Sequence, residues 1–176
     1  MVRRSKKIAL SGILTAVAVI FMYIGALFQV LDLSSAALGS IVILIALIEV
    51  GKGYALGIFA SSSVLALLLL PSKAPALIFV AFSGYYPILK VYLNMIKPKA
   101  LSYLARFAVF NGALFLILFV GSRLFGVDVL AEYSGSRMLT AAFLTMCEVT
   151  FGLYDFALER MVFFYTVKLK NRFRRN

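Results

Sequence analysis

The sequence predicts an all-α integral membrane protein, a six-helix transmembrane bundle forming one polytopic domain over residues 1–176. Three observations carry that expectation. Of the 176 residues, 63% are hydrophobic, more than a soluble chain of this length can hide. The apolar residues fall into six runs separated by short polar or charged turns. The positive charges collect at the two ends and in those turns, as they do in an inserted protein.

Composition also excludes function classes. A net charge of +11 would suit nucleic acid if it formed a stripe on a soluble surface. Here it is confined to termini and turns, so nucleic acid is not an expected partner. There is no histidine, which removes histidine metal sites and histidine acid–base catalysis. The single cysteine, Cys147, lies within an apolar run and allows no internal disulfide. The run from Ile8 to Leu31 is 24 uncharged residues. It is longer than a signal-peptide core and lacks a convincing small-residue cleavage site, so no cleaved leader is expected.

The elements follow in order. Arg3, Arg4, Lys6 and Lys7 hold the N-terminus in the cytoplasm. Span 1 is expected over 8–28, with small residues four apart at Gly12 and Ala16 and at Ser11 and Thr15; this spacing gives a smooth face that lets another helix approach closely. An outer loop over Gln29 to Ser35 contains Asp32. Span 2 covers 36–50, and Glu49 at its inner end is placed to pair with Lys52. Span 3 covers 53–70, with a second ladder of small residues at Gly53, Gly57 and Ser61. Pro71 and Pro75 force the next outer turn.

Span 4, over 75–96, is the stretch around which the rest is arranged. It carries Gly84-Tyr85-Tyr86-Pro87 and Lys90 within an apolar run. In lipid a proline frees a backbone carbonyl and a lysine is costly to desolvate, so this helix is expected inside the bundle. Span 5 covers 103–125 and holds Asn111 and Arg123. The longest polar outer segment, 126–137, follows. Span 6 covers 138–166, and a basic tail completes the chain. Placing both termini in the cytoplasm puts 14 cations inside, namely Arg3, Arg4, Lys6, Lys7, Lys52, Lys90, Lys97, Lys99, Arg106, Lys168, Lys170, Arg172, Arg174 and Arg175, against 3 outside, Lys73, Arg123 and Arg137. Arg160 lies within the inner half of span 6.

Span 6 is the most polar run. Glu148, Gly152, Asp155 and Glu159 recur every three or four residues and share one face. Asp155 and Glu159 are placed to form structural pairs with Lys90, Arg106 or Arg160. Glu148 lies deeper, about 15 Å into the span at 1.5 Å per residue, and no basic residue shares that depth. A buried carboxylate there is expected to meet a ligand or water. Tyr85, Tyr86 and Asn111 are candidates at similar depth, either lining a pocket or packed in the core, and Arg123 is a candidate at the outer rim. No phosphate loop, Ser-His-Asp set or metal-ligand spacing is present. The expectation is therefore a non-enzyme without cofactor or metal, and any ATP-driven work would need other subunits.

Taken together, the six short spans, the basic N-terminus leading into Gly12 and Ala16, and the 71–90 block followed by Lys97-Pro98-Lys99-Ala100 resemble the substrate-binding (S) components of energy-coupling factor transporters. The block is similar to small S-component-like proteins of Gram-positive bacteria. The resemblance implies a plasma-membrane protein that captures a vitamin-like solute from outside. It also implies docking, through small residues of the early spans, on a shared transmembrane coupling subunit that cytoplasmic ATPases drive. The N-terminal histidine of cobalt and nickel members is absent, so metal uptake is not implied. On the residues alone a second reading stays open, a non-transporting scaffold of the bacterial cell envelope.

Overall fold

The computed structural model describes residues 4–28, 31–124 and 137–165, and every regular element among them is helical. They are α1 (Arg4–Phe28), α2 (Asp32–Glu49), α3 (Lys52–Leu69), α4 (Ala74–Ile78), a π-helical turn (Phe79–Ser83), α5 (Tyr86–Leu93), α6 (Lys99–Leu124) and α7 (Arg137–Phe164). Counting Ala74–Leu93 as one interrupted helix, six helices are long and apolar enough to cross a membrane. These correspond to the six expected runs. The expected outer segment 126–137, apart from Arg137, and the basic tail lie outside the described residues.

Three helices, α1, α2 and α6, start four residues before the expected spans, and for α2 and α6 the start has a local cause. α2 begins at Asp32, whose carboxylate suits the positive end of the helix. Ser35 then donates both its backbone N–H to Leu31 O and its hydroxyl to Asp32 O. α6 begins at Lys99, directly after Pro98, a residue suited to helix starts. Its first turn is tied to the end of α5 by the Ser102 hydroxyl, which donates to Leu93 O at 2.8 Å.

The chain forms two compact units, Met1–Val127 and Asp128–Asn176. In the first, α1 packs along α2 and α3, and α2 also touches all three parts of the interrupted fourth helix. α6 packs on that fourth helix. Met22, Ile43, Ile58, Leu70 and Phe79 are fully buried and form the centre of the core. Two glycines set how closely the helices approach. A Cβ at Gly25 would fall on the Ser35 side chain, and one at Gly39 would sit 3.1 Å from the Phe79 ring.

The fourth helix is the most buried of the six, as its proline and lysine require. Pro75, Pro87 and Lys90 are all buried. The π-turn reads directly from the backbone: Gly84 N–H donates to Phe79 O, five residues back, at 2.8 Å. Pro87 has no N–H, and its ring crowds the carbonyl four residues earlier, so an α-helical register cannot run through unchanged. The turn absorbs the mismatch, and the helix resumes at Tyr86. The Ser83 hydroxyl then donates to Ala36 O on α2 at 3.1 Å, fixing the bend to the bundle.

In the second unit, α7 buries Phe151, Asp155 and Leu158, four and three residues apart on one face.

Candidate solute-binding and docking residues

The candidate residues divide between the units: Tyr85, Tyr86, Asn111 and Arg123 belong to the first, and Glu148 to the second. Tyr85 and Tyr86 sit where the fourth helix resumes, and they point into different surroundings. Tyr85 is half-buried; its hydroxyl donates to Ala81 O at 2.9 Å, and its ring lies edge-on to Phe59 at 6.0 Å. Tyr86 has no exposed surface, and its ring centroid is 4.7 Å from that of Phe82. Phe82 in turn meets Phe110 of α6 edge-on at 5.4 Å. The bend is thus enclosed by two aromatic groups, Phe59-Phe79-Tyr85 towards α3 and Phe82-Tyr86-Phe110 towards α6. Tyr85 is the member with a polar tip and remaining exposure.

Asn111 is exposed on α6, and its amide donates to Phe107 O at 3.0 Å. Arg123 is exposed near the end of the same helix, 6.0 Å from the centre of the Phe119 ring. Twelve residues separate them, about 18 Å along a helix, so the structure does not gather these two into one local site. On α7, Glu148 is half-buried, Asp155 buried and Glu159 exposed.

Two of the cations have aromatic neighbours. Lys52, expected beside Glu49, lies over the Tyr92 ring, 4.3 Å from its centre. Arg106 is buried, donates to the Asn94 side-chain oxygen, and lies 4.7 Å from the Tyr103 ring centre. Sequence reasoning overlooked Asn94 and Ser83. Both are short polar residues at irregular points of the fourth helix, and their partners, Ala36 and Arg106, lie on other helices. Phe59 was also overlooked, though its one-turn spacing from Ala55 and Ser63 marks a buried face.

The small-residue ladders show a sharp contrast with the core glycines. A Cβ at Gly12, Gly53 or Gly57 would meet nothing within 4 Å, and Ala16 and Ser61 are exposed. The three glycines thus have open space beside them among the described residues, as do Gly112 and Gly152, unlike Gly25, Gly39 and Gly84.

No group of three or more His, Cys, Asp or Glu side chains that could hold a metal occurs among the described residues. No family model, no curated protein and no solved structure matches the chain.

Proposed function

We propose that the protein is a solute-binding membrane subunit of an energy-coupling-factor-type uptake system. In this reading it sits in the plasma membrane with both termini cytoplasmic. It captures a small, vitamin-like molecule from outside and docks on a transmembrane coupling subunit powered by separate ATPases. The observation that supports it best is the open face at Gly12, Gly53 and Gly57. Small residues left unfilled on two helices suit close approach by a helix from another chain. Tyr85, Tyr86, Asn111, Arg123 and Glu148 are the residues proposed for the solute, with Glu148 as its polar anchor.

The test is purification from the native membrane, with co-purifying proteins and small molecules identified by mass spectrometry. Gly12→Leu and Gly57→Leu are expected to reduce recovery of the partner while leaving thermal stability unchanged. Normal partner recovery in both variants removes the docking role. Glu148→Gln is expected to lose the co-purified solute with the fold retained, and equal solute content in variant and wild type removes Glu148 from the site. Recovery of cell-envelope proteins without any solute would favour the scaffold reading.

A further inference from the structure

We propose that the turn joining α2 and α3 binds the phosphate headgroup of an anionic phospholipid, held by Lys7, Lys52, Tyr54 and Tyr92. Lys7 Nζ donates to Val50 O at 3.3 Å and stands 5.6 Å from the centre of the Tyr54 ring. Lys52 Nζ stands 4.3 Å from the centre of the Tyr92 ring. Lys7 Nζ thus reaches the turn at Val50, and Lys52 belongs to the turn itself. Each is steadied by an aromatic face. Holding a long side chain in place lowers the ordering cost when an anion binds.

The turn is also accessible, and cations outnumber carboxylates around it in the sequence. Gly51 and Gly53 flank Lys52, and a Cβ at either would meet nothing within 4 Å. Among the described residues, Arg4, Lys6, Lys7, Lys52, Lys97 and Lys99 make no ion pair with a carboxylate. The first 127 residues contain only two acidic side chains, Asp32 and Glu49, against eleven Lys and Arg. Asp32 lies at the opposite end of α2 from this turn, and Glu49, which closes α2 beside it, is already engaged by an interaction of its own.

The apolar surroundings select a lipid over a free phosphate. Ile8 follows Lys7 directly, and Leu56 lies one turn beyond Lys52; they are 59% and 50% exposed. An anion that carries hydrocarbon satisfies both the cations and this apolar surface, whereas inorganic phosphate satisfies only the cations. The site rests on the bilayer location proposed above and is independent of transport or docking.

The experiment compares two variants of equal charge, K7Q/K52Q and K97Q/K99Q. Detergent-purified protein is offered equimolar phosphatidylglycerol and phosphatidylcholine, and bound lipid is counted by native mass spectrometry. Wild type is expected to favour phosphatidylglycerol. K7Q/K52Q is expected to lose that preference by about fivefold per lysine, while K97Q/K99Q stays close to wild type. Lys7 also supports the end of α2, so Lys52→Gln alone, on an exposed side chain, serves as the second variant with a loss of about fivefold. Equal losses in both double variants would mean a diffuse field rather than a site, and would overturn the proposal. So would unchanged retention in K7Q/K52Q and Lys52→Gln, or displacement of the lipid by excess inorganic phosphate. Failure of wild type to retain either lipid would overturn the bilayer location itself, and the site with it.

Discussion

Three glycines of the first unit give a residue-scale test because space and backbone angle separate their roles. At Gly84 an added Cβ would sit 2.6 Å and 2.7 Å from two Phe59 ring carbons and 2.8 Å from Phe79 O. The backbone oxygen cannot swing aside, so Gly84→Ala is expected to cost about 1–3 kcal/mol, as overpacking does. Gly51 has open space but a φ of 101°, which side chains rarely adopt. Gly51→Ala is expected to cost a similar amount, about 1–3 kcal/mol, through backbone strain. Gly53 is helical, open and free of either constraint. There Ala is expected to be neutral or to stabilise by up to about 1 kcal/mol, the helix-propensity difference. Thermal unfolding of the purified protein checks the order, with Gly53→Ala highest and the other two below wild type. A Gly84→Ala variant as stable as wild type would mean that Phe59 yields freely.

At the scale of one element, the bend in the fourth helix is the feature whose register matters most. Phe79 and Phe82 within the π-turn and Tyr86 and Pro87 just after it are buried. Deleting Ala81 removes a residue that the π-turn accommodates, while Pro87 still crowds the carbonyl four residues before it, so the turn cannot simply revert to an α-register. The buried rings of Phe79 and Phe82 would lose their places against Phe59 and Phe110, so the variant is expected to yield aggregated or degraded protein on size-exclusion chromatography. Ser83→Ala is milder: it leaves the register intact and removes one hydrogen bond to α2, at about 0.5–1.5 kcal/mol. Hydrogen exchange is expected to rise across 79–87 in that variant and to remain unchanged in α7. The sequence made the irregularity visible, because Gly84, Pro87 and Lys90 in an apolar run require protein neighbours. It did not reveal the form of the irregularity. Whether a proline produces a kink or a π-turn depends on what the neighbouring helices accept, here Phe59 and Ala36.

Across the whole molecule, six apolar helices were legible because hydropathy runs and charge placement are properties of the chain itself. Helix starts at Asp32 and Lys99 were less legible, since caps and turns shift ends by a few residues. The candidate site was legible only as a set of costly side chains. Depth along a span brings Tyr85, Asn111 and Glu148 to one level, but rotation about each helix decides which way a side chain faces, and span depth carries no rotation. The orientation proposed above makes a direct prediction. Cysteines placed at Ser5 and Ala100 are expected to react with membrane-impermeant reagent only from the cytoplasmic side, and one at Ser72 only from outside. Outside labelling at Ser5 would reverse the orientation.

The position of α2 bears on how such a chain is made. It touches α1, α3 and every part of the fourth helix, yet the fourth helix leaves the ribosome last of these. From Leu69 to Leu93 is 24 residues, about 1–5 s of synthesis at roughly 5–20 residues per second. In the bilayer location proposed above, a stack of three helices would for that interval leave the Ala36 carbonyl and the groove beside Gly39 uncovered. Something must occupy that groove while it waits, whether acyl chains or the lateral gate of the insertion machinery. A ribosome pause placed before Ala74 would lengthen the wait, making the half-made chain a substrate for membrane proteases before its finished form has ever existed.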